Sequence, residues 1–484
     1  MSSFRKRVLD GLLWRSGVAA SQQVTQILFT ILLARLLTTT DFGLVAMALV
    51  FTQFAQAFSQ VGFGAAVIQD QEISDAQVSA LLVFHVGVNA IASLACCLAA
   101  PLAAGFFHEP KLAAIVAVLA WLLLVTSLGF PQVLLRKRMA FREYSSYEVG
   151  SSLAGNVVAV VLAFTGFGVW SLVARPIVQR LAFAACVWRV ARWRPVRPQF
   201  AGIGKHLRYG LHLLGSNVFT FASQNTAPIV IGRFAGAETL GCFRIAFGLA
   251  VVPAQQVQAI LTTVLLPALS IFNGDRAAFR RKAYASMLGL GLVYVPAMLG
   301  LAAVATTFVP FAYGEAWSAA STFLVMLAGV GLIKGFEHLL RCVILSTGRS
   351  AVVMRITAVE TLSALAFLAI GGSLWGANGL AAGCLAAACV SGALTLHEAH
   401  RAVGGEPIFL RAITRSLLAG GAMAAIVAAV AAVAPWHRGV TLLAQILVGI
   451  ALYLVFRVRV LSEEERATVR GWPGAGLVLA RRHP

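Results

Sequence analysis

Charge is what this sequence has least of. Asp, Glu, Lys and Arg make up 12% of its 484 residues, and acids are the scarcer half, 18 against 38 bases. A soluble domain carries about 25% charged residues, so a water-soluble globule is excluded. No GxxxxGK[ST] occurs, which rules out nucleotide hydrolysis by a P-loop. The seven cysteines (96, 97, 186, 242, 342, 384, 389) lie in apolar runs without CxxC spacing. They read as small buried hydrophobes, and no metal site is expected. The segments between apolar runs are too short to hold a catalytic domain.

What is abundant is apolar side chain: 59% of the residues, with a mean hydropathy of +0.85. A bilayer core takes about 20 mostly apolar residues per helix. Cutting at charge clusters and Gly/Pro turns predicts spans at 14–34, 42–66, 78–104, 112–130, 147–166, 169–189, 209–232, 241–266, 284–308, 318–341, 352–370, 378–397, 413–433 and 439–457. The expected fold class is all-α, a polytopic membrane protein of about 14 transmembrane helices; twelve is the alternative, because the last pair is weakest. "MSSFRKRVLDGLLWRSG" is basic and runs into a full-length span, so it reads as a retained first helix.

The bases fix an orientation. With a cytoplasmic N-terminus, 30 of the 38 Lys and Arg fall inside, in segments such as "RKRMAFR" (136–142) and "RVARWRPVRP" (189–198). Five fall outside (Arg35, Lys111, Arg233, Arg244, Arg438), and Arg175, Arg180 and Lys334 lie within spans. That asymmetry places both termini in the cytoplasm and makes nucleic acid an unneeded explanation of the +20 net charge. One inside loop departs from the pattern: "QDQEISDAQ" (69–77) has three acids and no base.

The chain also reads as duplicated. A shift of 198 puts Gln26 on Gln224, Arg35 on Arg233, Gly43 on Gly241 and Gln60 on Gln258. The expected organisation is an N-lobe of six helices over 1–190, a cytoplasmic linker at 191–208 and a C-lobe of six over 209–400. A further pair at 401–457 and a cytoplasmic tail at 458–484 complete it.

Several stretches resemble the polysaccharide-transporter branch of the MOP superfamily, the Wzx-type flippases of lipid-linked oligosaccharides. They are "LLARLLTTTDFGLVAMA" (32–48), "GFGAAVIQ" (62–69), "LLRKRMAFREY" (134–144) and "GFGVWSLVARPIVQRL" (166–181), followed by "WRPVRP" (193–198). The likeness runs over nearly the whole chain and is densest in its first 200 residues. It implies transport, not catalysis, of undecaprenyl-pyrophosphate-linked oligosaccharide across a bacterial inner membrane, by alternating access. Membrane lipids, a polysaccharide polymerase and a chain-length regulator are the expected partners. No cofactor is expected beyond coupling to an H+ or Na+ gradient. At Arg175 the sequence departs from the neutral polar residue of that pattern.

Ions and amides at membrane depth supply the candidate sites. A charge at the bilayer centre costs about 2.5–3.5 kcal/mol on insertion scales, so it usually faces a cavity. At 1.5 Å per residue from Val169, Arg175 lies about 9 Å deep and Arg180 about 16 Å. Arg180 is too deep to snorkel easily, while Arg175 reads equally well as an interfacial side chain. A guanidinium grips a diphosphate bidentately and keeps its charge. Neutral amides suit sugar hydroxyls: Gln22 and Gln26; Gln53, Gln56 and Gln60; Asn217 and Gln224; Gln255 and Gln258. Such stripes also join helices by hydrogen bonds alone.

The stretch "KGFEHLLR" (334–341) crowds Lys334, Glu337, His338 and Arg341 along one helical stripe. Lys334 and Arg341 are candidate diphosphate contacts, and Arg341 reads also as an interfacial anchor. Glu337, Glu360 and His338 are candidates for proton or ion coupling. The alternative is an internal network in which Lys334, Glu337 and His338 satisfy one another. Two rival functions remain: a multidrug antiporter of the same superfamily, and a membrane-embedded polymerase or glycosyltransferase. A lone peptidoglycan-precursor flippase is a third, disfavoured by the motifs.

Overall fold

The apolar runs fold as helices, interrupted where backbone chemistry requires it. The computed structural model describes residues 21–59, 67–68, 70, 72–138, 140–201, 204–272, 274–433 and 437–460, and no strand occurs among them. Seven helices are long and apolar enough to cross a membrane: Asp75–Leu98, Arg142–Phe164, Gln224–Gln255, Arg276–Tyr313, Ala319–Ser346, Ser350–Val403 and Ile408–Ala431. The third and sixth run through a break, at Gly236 and at Trp375–Gly376, so each joins two helices. The helices run along the predicted segments, but the predicted span 78–104 is interrupted at Ala99 and the span 241–266 by a π-helical turn at Leu261–Leu265; the chain is an all-α multi-pass membrane protein.

The structure divides into two compact units, 1–241 and 242–484. The helix over 204–235, which the duplication counts with the second half, is grouped here with the first.

In the first unit a helix over 21–36 precedes Thr39–Ser59, Asp75–Leu98, Ala100–Phe107, Lys111–Ser127, Gln132–Lys137, Phe141–Phe164 and Val169–Ala191. The hairpin between the last two turns on "GFG": Gly166 has φ +85° and Gly168 φ +55°, conformations costly for any side chain with a Cβ. In the second unit Gly376 breaks the helix at φ 57°, ψ −134°, close to the 55°, −129° of Gly168. The two halves thus share a turn, now 208 residues apart instead of 198.

The acidic loop at 69–77 has a structural purpose. Ser74 and Gln77 form a reciprocal cap at the start of Asp75–Leu98. The same turn holds the basic segment after Ala191. Trp193 Nε1 donates to Asp75 Oδ1 (3.0 Å), the Val196 amide to Ser79 Oγ (3.0 Å) and the Gln199 amide to the Ala76 carbonyl (3.1 Å). Trp193 is buried with Val78, Leu81 and Phe130, while Arg192, Arg194 and Arg197 stay exposed. The 191–201 segment is a strap, tied down at every few residues.

The second unit begins with the end of the helix running to Ala250, then Val252–Ile260. A π-helical turn, Leu261–Leu265, follows and leads into Leu266–Ser270. Pro267 has no amide to return to residue 263, which favours the wider turn there. Asp275 caps Arg276–Tyr313 by accepting from the Ala277 and Ala278 amides, both at 3.0 Å. That helix packs with Ala319–Ser346, Ile408–Val433 and Arg438–Val460 around Tyr294, Val295, Phe336, Leu339 and Phe409.

Candidate functional site

The "KGFEHLLR" stripe lies on Ala319–Ser346 and meets Glu360 from the following helix, closing a ring of four charges. Lys334 Nζ bonds Glu337 Oε2 at 2.7 Å and Glu360 Oε1 at 2.6 Å. Arg341 Nη2 bonds the remaining oxygens, Glu337 Oε1 at 2.5 Å and Glu360 Oε2 at 2.8 Å. Each carboxylate bridges the two bases and each base the two carboxylates. Ser391 donates to Glu337 Oε2 at 3.1 Å, and Arg341 Nη1 donates to Thr357 Oγ1 at 2.8 Å. The Glu337 side chain is 0% exposed; a carboxylate so placed is tolerable only when paired and hydrogen-bonded. The ring is electrically neutral and joins three helical stretches, through 334–341, 357–360 and 391.

His338 stands apart from it. The i, i+4 spacing suggested a bond to Lys334, but the ammonium is occupied elsewhere, and His338 Nδ1 is buried with no hydrogen-bond partner among the described residues. Ser391 and Thr357 were not legible as members, since a neutral hydroxyl on an apolar helix carries no ionic signal of its own.

In the first unit the structure brings Arg175 to Gln26. The guanidinium Nη2 donates to the amide Oε1, across 149 positions of sequence. Gly155 makes room for this stretch: a Cβ there would sit 2.7 Å from the Arg175 carbonyl and 3.0 Å from Gln179 Cβ. No carboxylate among the described residues pairs with Arg175. Arg180 is exposed five residues on, about 140° around the helix, and the two guanidiniums point different ways. Gln22, Gln53 and Gln56 are half-buried, while Gln224, Gln255 and Gln258 are exposed. Gln60 lies outside the described residues, as does the side chain of Asn217, whose backbone is helical.

Arg244 is a residue that the sequence reading set aside. Counted with the outside bases, it instead lies within the helix that follows Gly236, eight residues on and so about 12 Å along. Its side chain is exposed, whereas its neighbours Phe243 and Ile245 are buried. The predicted span 241–266 already contained Arg244, and that was the available signal.

A separate feature of the second unit is an apolar groove of about 460 Å³ between Arg276–Tyr313, Ile408–Val433 and Arg438–Val460. Pro296, Leu301, Met423, Ile446, Ile450 and Tyr453 line it.

The family model described as polysaccharide biosynthesis protein matches residues 32–322. Lipopolysaccharide biosynthesis protein WzxC of Escherichia coli (strain K12) is 26% identical over 391 residues, 79% of either chain. Succinoglycan biosynthesis transport protein ExoT of Rhizobium meliloti (strain 1021) is 30% identical, covering 71% of this chain and 70% of its own. Teichuronic acid biosynthesis protein TuaB of Bacillus subtilis (strain 168) is 28% identical, covering 72% and 73%. Among solved structures, lipid II flippase MurJ in an inward closed conformation superposes with a TM-score of 0.70 at 15% identity, covering 92% of this chain and 98% of that one. An inward-facing multidrug resistance MATE transporter of the MOP superfamily gives 0.58 at 14%, covering 80% and 98%. These last two likenesses establish the fold. Sequence match and fold agree, and the chain belongs to the polysaccharide biosynthesis protein family.

Proposed function

We propose that this protein is a flippase that carries lipid-linked oligosaccharide, saccharide units on undecaprenyl pyrophosphate, across the bacterial inner membrane for polysaccharide assembly. It is a transporter and not an enzyme. The observation that carries the reading is Arg175: a guanidinium within an apolar helix, bonded to the neutral amide of Gln26 and to no described carboxylate. A structural arginine at that depth would be neutralised, as Arg341 is by Glu337 and Glu360. An unneutralised one is suited to an anion that arrives and leaves. Arg180 offers a second cation nearer mid-membrane, and Arg244 a third in the other unit. The amides of Gln22, Gln26, Gln53, Gln56, Gln224, Gln255 and Gln258 give sugar hydroxyls both donors and acceptors.

The polyprenyl tail keeps to lipid-like surroundings, for which the groove beside Met423 and Ile450 is suited by its apolar lining. Both termini lie in the cytoplasm, and the saccharide passes outward by alternating access, to be taken up by a polymerase and its chain-length regulator.

The test uses the full chain in vesicles of phosphatidylethanolamine and phosphatidylglycerol containing a fluorescent undecaprenyl-pyrophosphate oligosaccharide. The wild type should speed its appearance in the opposite leaflet, and Arg175→Gln should abolish that gain. Vesicles that expel a cationic dye but leave the labelled lipid in place would instead establish a multidrug antiporter.

A further inference from the structure

The ammonium of Lys334 has three donors, and the structure gives it three oxygen acceptors from three helical stretches. Glu337 Oε2 lies at 2.7 Å, Glu360 Oε1 at 2.6 Å and Ser391 Oγ at 3.2 Å. Ser391 is itself 0% exposed, so this is a built seat and not a surface encounter. Two carboxylate oxygens and a hydroxyl are the hard oxygen ligands that small cations take.

The charges explain why a cation is needed there. Glu337 and Glu360 bring two negative charges, and Arg341, bonded to the other oxygen of each, cancels one. One remains, and the ammonium of Lys334 supplies its complement. All three of its donors are engaged, so a diphosphate could reach it only by breaking the ring.

We propose that Lys334 is a tethered cation filling a monovalent-cation seat formed by Glu337, Glu360 and Ser391. The second unit therefore exchanges no Na+ or K+ at this position. The ring holds three helical stretches together without depending on the salt around it. If transport is coupled to an alkali-ion gradient, the ion binds elsewhere. This holds whatever the chain carries, so the vesicle experiment above and the one below can fail separately.

The test is thermal stability of the purified full chain in NaCl, KCl or choline chloride at equal ionic strength. The wild type should melt at the same temperature in all three. Lys334→Ala, which empties the seat and leaves the negative charge, should melt lower in choline and recover saturably in Na+ or K+. The recovery should reach about 5–10 °C at a hundred times the cation's Kd. Lys334→Ala with Glu360→Gln restores neutrality and should lose that response. If Lys334→Ala does not fold in any salt, Lys334→Gln leaves the same charge deficit and carries the same test. Two results would overturn the proposal. One is a saturable Na+ or K+ stabilisation of the wild type that Glu360→Gln removes. The other is a folded Lys334→Ala or Lys334→Gln protein with no more cation response than the wild type.

Discussion

Adding a single methyl group at Gly43 should weaken the first unit measurably. Thr39–Ser59 crosses the helix that begins after Gly236 with no side chain between them. A Cβ on Gly43 would fall 1.7 Å from the Ala237 carbonyl oxygen, and one on Gly241 2.0 Å from the Thr39 carbonyl oxygen. Ordinary contact begins at 3.4 Å, so the helices must part locally by about 1.5 Å to admit it. Both obstructing atoms are backbone and cannot rotate aside, which puts the cost at the upper part of the usual overpacking range, about 2–3 kcal/mol. Alanine regains about 1 kcal/mol over glycine through helix propensity. The net loss is about 1–2 kcal/mol, or roughly 2–8 °C in a unit of this size.

The 198-residue shift sharpens the expectation. It maps Gly43 onto Gly241 and residue 39 onto residue 237, so the two contacts are images of each other and the two substitutions should cost alike. Gly248, with nothing within 4 Å of its Cβ position, is the control: Gly248→Ala should be neutral or stabilising by up to about 1 kcal/mol. The assay is thermal unfolding in detergent. Gly43→Ala melting at or above the wild type would mean that these helices do not touch as described. Unequal losses at Gly43 and Gly241 would refute the two-fold relation.

Arg180→Ala should abolish polymer export in cells at unchanged expression, and Arg180→Lys should be partly defective, because an ammonium cannot fork onto a phosphate; normal export from Arg180→Ala removes that residue from the mechanism. Lys334→Ala should cost about 3–5 kcal/mol by stranding a buried charge, whereas Lys334→Met with Glu337→Leu should recover most of it, since Arg341 and Glu360 still pair; equal melting temperatures for the two would count against the ring. Trp193→Phe removes the bond to Asp75 and should speed trypsin cleavage after Arg192 in the strap, read by gel; cleavage at the wild-type rate would show the strap is held without it. Cysteine labelling should find positions 190–205 and 275–282 on one side of the membrane and 308–316 on the other, and labelling of 190–205 from the periplasm would overturn the orientation.

Much of this protein could be read one residue at a time. The turn glycines of "GFG" adopt the positive φ that the hairpin needs, and Lys334 reaches Glu337 one turn away. These are consequences of backbone sterics and of helical period, which act within a few residues. Pairing across helices was another matter. Glu360 was visible as a deep acid, but its bond to Lys334 spans 26 positions and that of Ser391 spans 57. His338 had the right spacing, yet the ammonium's donors go to Glu337, Glu360 and Ser391, and the imidazole Nδ1 has no partner among the described residues.

The sequence by itself determined that the chain spans a membrane many times and that bases are at least as numerous as acids in its depth. Composition and periodicity carry that information, since the bilayer imposes the same demand on every span. Only the tertiary structure shows which of those bases are paired with carboxylates. Lys334 and Arg341 are neutralised by two carboxylates, and among the described residues Arg175 is bonded to the amide of Gln26. A charge's availability depends on which groups from distant segments stand within about 3 Å of it, and that distance exists only once the helices have packed.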